Sequence, residues 1–423
     1  GRSRKGAISA SSHTGNLAGS YESFRAVFDK YGVLSPDGVE EYYGLESVLD
    51  TLKGNLPRSN RFAIVCRSGG EATMSADLAE RHGLFLPDIT PETQSRINAM
   101  MPDFGTAKNP LDMTAGLLGD PVKLSATLNL LAEDPNIDAM IVAFDFAELD
   151  LDLGYDMNTF LGNPVLECAA KHPDVPIFVM PQYEQKRNLD WRMKLRAAGV
   201  PILPPAEIGY KLIGTLIRFM EYDPSAHRLE WAVPDRYPEN AKPMSEYDSK
   251  RELSCAGIPV PEQTVVRSAE ELRDACRVFG YPLVLKINSP DILHKTEAGG
   301  VRLNIRTPEE AREAYDGILS ACRAYAPNAR LDGVLVQKMA PSGAEVILGV
   351  KNDRQLGPLL LVGLGGVFVE VFRDTALIPC PISLEEAHAQ LKKLRSYKLL
   401  TGYRGSTSLD TDALAELMVK VSE

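Results

Sequence analysis

Between about residue 60 and residue 222, short apolar runs rich in β-branched residues alternate with amphipathic stretches of helical period. RFAIVC (61–66), IDAMIVAFDF (137–146) and PIFVMP (176–181) are the runs, and each reads as a strand buried on both faces. ATMSADLAERHG (72–83) reads as a helix closed by Gly83. TPETQSRINAMM opens with Thr90 as N-cap and Pro91 at N1, and PAEIGYKLIGTLIRFMEY (205–222) ends the series. Strand, helix, strand at this spacing predicts a parallel sheet with helices on both faces, a doubly wound α/β domain over residues 57–225. A fold of this kind does not name a function.

Residues 223–243 break every periodicity and carry four prolines, so an interdomain linker is expected, its span set at 226–243. From Met244 the pattern changes. MSEYDSKRELSCAG is a short helix ending at Gly257; extended segments are expected at 259–266, 282–287, 300–305, 333–339 and 344–350, with helices at 268–279 and 307–325. This is a second, α+β unit over 244–423. Residues 1–56 hold a Gly- and Ser-rich loop and two helices, LAGSYESFRAVFDKYG and GVEEYYGLESVLDTLKG. Two helices and a loop enclose no core, so this part is expected to be the C-terminal remnant of a domain whose earlier strands lie upstream.

At 423 residues with 44% apolar and 24% charged residues, the composition is that of a soluble globular chain of two to three domains. No run of 18 apolar residues is present to span a bilayer, and GRSRKGAISASSHTG lacks the apolar centre of a signal peptide. A net charge of −11 without a dense basic stripe argues against a nucleic-acid binder. The six cysteines are scattered with no CxxC pair, so they read as reduced core residues of a cytoplasmic protein.

Four constellations carry candidate chemistry. His13 sits in SSHTGNLAGS, where small residues admit an anion to backbone N–H groups ahead of a helix. An imidazole there can carry a phosphoryl group, and a surface histidine in an N-capping loop fits the same spacing. Gly69 and Gly70 lie between a strand and a helix, an arrangement that aims a helix N-terminus at phosphate; it matches neither GxxxxGK[ST] nor GxGxxG, and a plain tight turn is the alternative. In LVLKINSPDILHKTEAGGV, Lys286 ends a strand and His294 follows beside Lys295, ahead of Gly299 and Gly300. A snorkelling lysine and a loop histidine would give the same string. Further on, Gln337, Glu345, Glu370 and Asp374 supply the carboxylates and amide that a Mg²⁺–nucleotide site needs, or decorate an exposed acidic hairpin.

Taken in order, these strings resemble the NDP-forming acyl-CoA synthetases, the family of ADP-forming acetate–CoA ligase and, more distantly, succinyl-CoA synthetase. GRSRKGAISASSHTGNLAG resembles the phosphohistidine loop, and FAIVCRSGGEATMSADLAERHGL with NPLDMT the ligase domain. SKRELSCAGIPVPE, PLVLKINSPDILHKTEAGGV, VLVQKMAPSGAEVILGVKND, GPLLLVGLGGVFVEVFRD and LLTGYRG resemble the ATP-grasp domain. The resemblance covers nearly the whole chain. It implies a flavodoxin-like domain followed by an ATP-grasp domain, and the reaction acid + CoA + ATP to acyl-CoA + ADP + phosphate.

By the same resemblance His13 is the first phosphohistidine and His294 the second, and the helix near Gly69 and Gly70 stabilises the phosphoryl group on His13. Lys250 and Lys286 bind nucleotide phosphates, Gln337 and Glu345 the adenosine side, and Glu370 with Asp374 the Mg²⁺ region. The implied ligands are a carboxylic acid, CoA, ATP or ADP, phosphate and Mg²⁺, with assembly as a homo- or hetero-oligomer. Two departures stand out: the family's CoA-binding Rossmann domain does not precede His13, and the chain stops before the acidic ELDxNP-type segment, so the ATP-grasp part is expected to be C-terminally incomplete. The competing expectation is a non-catalytic acyl-CoA- or nucleotide-sensing module of a larger protein such as an acyltransferase fusion. The acid itself is not legible.

Overall fold

A computed structural model describes residues 3, 5, 20–103, 105–113, 116–117, 119–148, 156–183, 186, 188–230, 243–341, 343–353, 355–365, 374–403 and 407–423. They form two compact units, one of residues 31–224 and one of residues 1–30 with 225–423. The two helices expected near the start join different units. α1 (Tyr21–Lys30) groups with the second, and α2 (Val39–Leu52) with the first.

The first unit is built on four parallel strands: β1 (Phe62–Cys66), β2 (Leu111–Asp112), β3 (Ala139–Val142) and β4 (Ile177–Val179), in the order β2-β1-β3-β4. An isolated parallel bridge from Val179 to Ile202 adds a fifth position beside β4, which is the flavodoxin-type order. Alternation splits the strands between two cores. Ala63, Val65, Met140, Val142 and Val179 face one core, closed by α4 (Pro91–Asn98), α5 (Pro121–Glu133), α6 (Met157–Lys171) and α7 (Leu189–Ala197). Phe62, Ile64, Cys66, Ile141 and Phe178 face the other, closed by α2, α3 (Gly69–Arg81) and α8 (Ala206–Met220). This is the doubly wound arrangement the strand–helix alternation implies. Thr90 caps α4 with Pro91 at N1, as the spacing requires. The run 137–146 stays buried to Phe146, but its ladder ends at Val142; Phe144 turns back to the Val142 carbonyl, leaving Asp145 at the strand's C-terminal mouth.

The second unit holds two antiparallel sheets. α9 (Glu246–Cys255) precedes β5 (Gln263–Val266), α10 (Ala269–Phe279), β6 (Leu283–Asn288), β7 (Val301–Ile305), α11 (Pro308–Tyr325) and β8 (Gly333–Lys338), whose strands order as β5-β8-β6-β7. β9 (Val346–Asp353), β10 (Gly357–Leu364) and β11 (Thr375–Pro379) form the other sheet, covered by α12 (Leu384–Lys393) and α14 (Thr411–Ser422), with the short α13 (Tyr397–Leu400) between them. α1 packs against β11. There the buried Lys30 ammonium donates to the carbonyls of Pro379 at 2.9 Å and Pro381 at 2.5 Å and lies 3.5 Å from Glu386. Of the expected linker, 231–242 lies outside the described residues; Pro224–Ala226 form one 3₁₀ turn. Five cysteines are buried as expected, while Cys255 is exposed at the end of α9, on a face of that helix with no buried residue. No helix among the described residues is long and apolar enough to cross a membrane.

Candidate functional site

The four-stranded sheet of the second unit has one face covered by α10 and α11, which bury Leu283, Leu285, Ile287, Val334 and Val336. The period of two puts Val284, Lys286, Leu335 and Gln337 on the opposite face. Register makes them neighbours, with Lys286 opposite Leu335 and Val284 opposite Gln337. The N-terminus of α9 is tied to the end of β6, where the Tyr247 N–H donates to Asn288 Oδ1 at 3.4 Å. That tie sets Glu246, the first residue of α9, beside Lys286.

Three lysines converge there. Glu246 Oε1 accepts from Lys250 Nζ at 2.7 Å and from Lys286 Nζ at 2.8 Å, and Oε2 lies 3.2 Å from Lys295 Nζ. Burial alone would raise the Glu246 carboxyl; the ammonium groups of Lys250 and Lys286 overcome it and hold the carboxyl down at about 2. One negative charge among three positive ones leaves a net cationic, half-buried patch, the complement of a polyphosphate.

His294 begins the turn that carries Lys295. The Ala298 N–H donates to the His294 carbonyl, and the Gly300 N–H to the Lys295 carbonyl at 2.7 Å. The turn lies tight on β6 because Gly300 has no side chain: a Cβ there would stand 2.6 Å from Ile287 Cγ2 and 2.9 Å from Cys322 Sγ. Gly299 takes φ +64°, the left-handed region glycine tolerates. The His294 side chain is exposed and makes no hydrogen bond among the described residues.

The remaining candidates of this unit are spread more widely. Gln337 is buried and donates to Gln263 Oε1 at 2.7 Å across β5 and β8. Glu345 is exposed just before β9, on the other sheet, and its carbonyl accepts from Gly365. The Asp374 carboxylate accepts one N–H on each oxygen, from Arg395 at 2.9 Å and Ser396 at 2.8 Å. His13 and Glu370 lie outside the described residues.

In the first unit Gly69 and Gly70 open α3, capped by Ser68, whose Oγ accepts from the Glu71 N–H. A Cβ on Gly69 would stand 3.1 Å from Asp112 Oδ2, so the bare backbone approaches β2 closely. Beside this helix end Arg67 bridges Glu71 at 2.8 Å and the buried Asp145 at 2.5 Å. Burial pushes the Asp145 carboxyl up against the pull of Arg67. A cavity of about 310 Å³ opens at Asp145, lined by Phe144, Phe146, Tyr183, Arg192 and Tyr43. The C-terminal mouth of a parallel sheet is where such folds bind ligands.

Sequence reasoning singled out Lys250 and Lys286, which the fold gathers around one carboxylate, and His294 next to Lys295 in the chain, but it missed that carboxylate and the part played by Lys295. The i, i+4 spacing of Glu246 and Lys250 at a helix start was the available signal.

Residues 237–423 match the family model of an ATP-grasp domain, and residues 62–161 that of a Ligase-CoA domain. The ADP-forming acetate–CoA ligase I of Archaeoglobus fulgidus is 32% identical over 100% of this chain, which covers 60% of that protein. A trans-feruloyl-CoA synthase from an unidentified prokaryote is also 32% identical over 100% of this chain, which covers 59% of it. The β subunit of the ADP-forming acetate–CoA ligase I of Pyrococcus furiosus is 44% identical over 43% of this chain and 78% of the subunit. The chain thus spans about three fifths of the length of the relatives that match it from end to end. With an ATP-grasp and a Ligase-CoA domain on one chain and close similarity to a subunit matched over most of its length, the chain belongs to the family of ADP-forming acetate–CoA ligases.

Proposed function

We propose that this chain supplies the nucleotide-binding and ligase parts of an ADP-forming acyl-CoA synthetase that works through phosphohistidine intermediates. The observation that carries the reading is the convergence of Lys250, Lys286 and Lys295 on Glu246, with the exposed His294 next to Lys295 in the chain. Ammonium groups there hold the nucleotide phosphates. An imidazole nitrogen attacks the γ-phosphorus, the N–P bond forms, the bond to the β–γ bridging oxygen breaks, and ADP departs with that electron pair.

His13 takes the group onward to the carboxylic acid. The CoA thiolate then attacks the acyl carbon of the acyl phosphate, the C–S bond forms, the C–O bond to phosphate breaks, and phosphate leaves, giving acyl-CoA. The N-terminus of α3 at Gly69 and Gly70 favours negative charge while the group is on His13. Gln337 and Glu345 face the adenosine side.

Mg²⁺ belongs with Glu370 and Asp374 in this reading, and supplies neutralising charge on the phosphates when bound. Asp374 fits: each oxygen accepts a single N–H and keeps a lone pair. No group of three or more His, Cys, Asp or Glu side chains suited to a metal exists among the described residues, and Mg²⁺ on a nucleotide needs only one or two carboxylates. Relatives of equal identity are named for acetate and for ferulate, so the acid stays at the level of its class. Relatives made of separate α and β subunits support an oligomeric enzyme, and we place it in the cytoplasm.

Incubation with γ-labelled ATP and Mg²⁺ tests the reading. Acid-labile, base-stable label is expected on the wild type and on His13→Ala, and none on His294→Ala. A wild type that binds ADP yet takes no label would replace the synthetase with a nucleotide-sensing module.

A further inference from the structure

We infer that Glu246 is a positioning residue that brackets Lys250, Lys286 and Lys295 into one phosphate seat, and that Lys295 is the third lysine of that seat. The inference rests on the nucleotide-binding reading above and deepens it, because that reading gives Glu246 no part and leaves open what holds the three ammonium groups together.

The geometry is specific. Two ammonium groups share a single carboxylate oxygen, and the third sits on the other. The lysines come from three separate places: the body of α9, strand β6 and the turn after His294. Nothing in the backbone alone brings such flexible, like-charged side chains together; without a counter-charge their repulsion and four-carbon stems would splay them. Glu246 is held rigidly enough to do this. It starts a helix capped by Ser245, whose Oγ accepts from the Asp248 N–H at 3.2 Å, and the Tyr247–Asn288 bond ties that helix to β6. Its side chain is only 18% exposed.

Lys250 and Lys286 each donate one N–H to Glu246 and Lys295 pairs with it at 3.2 Å, which leaves further N–H donors on each ammonium for phosphate oxygens. The lysine–glutamate pair that readies a kinase for ATP follows the same logic. An opposite role is chemically possible: a carboxylate seated where phosphate belongs would compete with it. The two roles predict opposite signs.

The test is titration of ADP, AMP and adenosine into the full chain by calorimetry, for wild type, Glu246→Ala, Glu246→Gln and Lys295→Met. Circular dichroism verifies that each variant is folded. The bracket predicts that ADP weakens about 10-fold in each variant while adenosine is unchanged, so the ratio of ADP to adenosine affinity falls; a merely structural lesion would weaken all three ligands together. Glu246→Gln keeps the shape of the side chain and covers the case in which the alanine variant does not fold. ADP binding as tight as, or tighter than, wild type in Glu246→Gln overturns the bracket. Failure of wild type itself to bind ADP instead brings down the nucleotide reading on which the bracket depends.

Discussion

A carboxylate shared by three ammonium groups titrates far from a free one. Glu246 sits at about 2 in the fold against an ordinary value of 4.5, so the unfolded chain takes up its proton first as pH falls. Its contribution to stability is therefore complete above pH 4.5 and disappears as pH drops toward 2. With most of the side chain buried, that contribution is about 3 kcal/mol. Urea unfolding of wild type beside Glu246→Gln checks it: the gap between them should narrow by about that amount from pH 6 to pH 2.5, and a gap that stays constant contradicts it. Taking the difference cancels the other carboxylates. At this scale the sequence was half informative. Lys286 at a strand end and His294 beside Lys295 could be read from the string, whereas the meeting of three lysines on Glu246 depends on a helix tied to a strand by Asn288, and no periodicity encodes such a tie.

Between elements, two glycines separate packing from propensity. Gly214 lies in the middle of α8, and a Cβ there would stand 2.4 Å from the His82 carbonyl oxygen at the end of α3. Alanine gains about 1 kcal/mol of helix propensity but meets a backbone atom that cannot turn aside, so Gly214→Ala should destabilise by about 2 kcal/mol net. Gly317 lies inside α11 with nothing within 4 Å of its Cβ position, so Gly317→Ala should stabilise by up to about 1 kcal/mol. Thermal melts of the two variants should move in opposite directions. The same close approaches explain which elements could be read in advance. β1, β3 and β4 are buried on both faces and stand out as unbroken apolar runs, whereas β2 is two residues long and has no period to detect. In β10 the apolar run is interrupted by Gly363, whose Cβ would sit 2.6 Å from the Asp374 carbonyl, and Gly365 follows 2.8 Å from Glu345 Cβ. Read without the fold, those glycines signal a turn. They are where neighbouring strands come closest.

For the molecule as a whole, the two units follow different rules. Residues 31–224 are contiguous and enclose two cores of their own, on either side of one sheet. A chain of 31–224 alone should therefore unfold cooperatively on heating, and a non-cooperative melt would show that its cores need more than this segment. The second unit takes a helix from the far end of the chain. Removing residues 1–30 leaves Glu386 without the Lys30 ammonium and the carbonyls of Pro379 and Pro381 without their donor, and His227, 2.9 Å from Glu386, stays behind as a weaker partner. Hydrogen exchange at β11 should accelerate in a chain beginning at Tyr31, while β1 and β3 remain as protected as before.

That distant pairing also sets an order of events during synthesis. Lys30 precedes Pro379 by 349 residues. At ordinary translation rates α1 leaves the ribosome roughly 20 to 70 s before the strand it packs against. The whole of residues 31–224 emerges in that interval and can close around its own sheet. Helix α1 must spend the wait without burying its apolar side in that neighbour, so the second unit closes only when this segment meets a strand made 349 residues later.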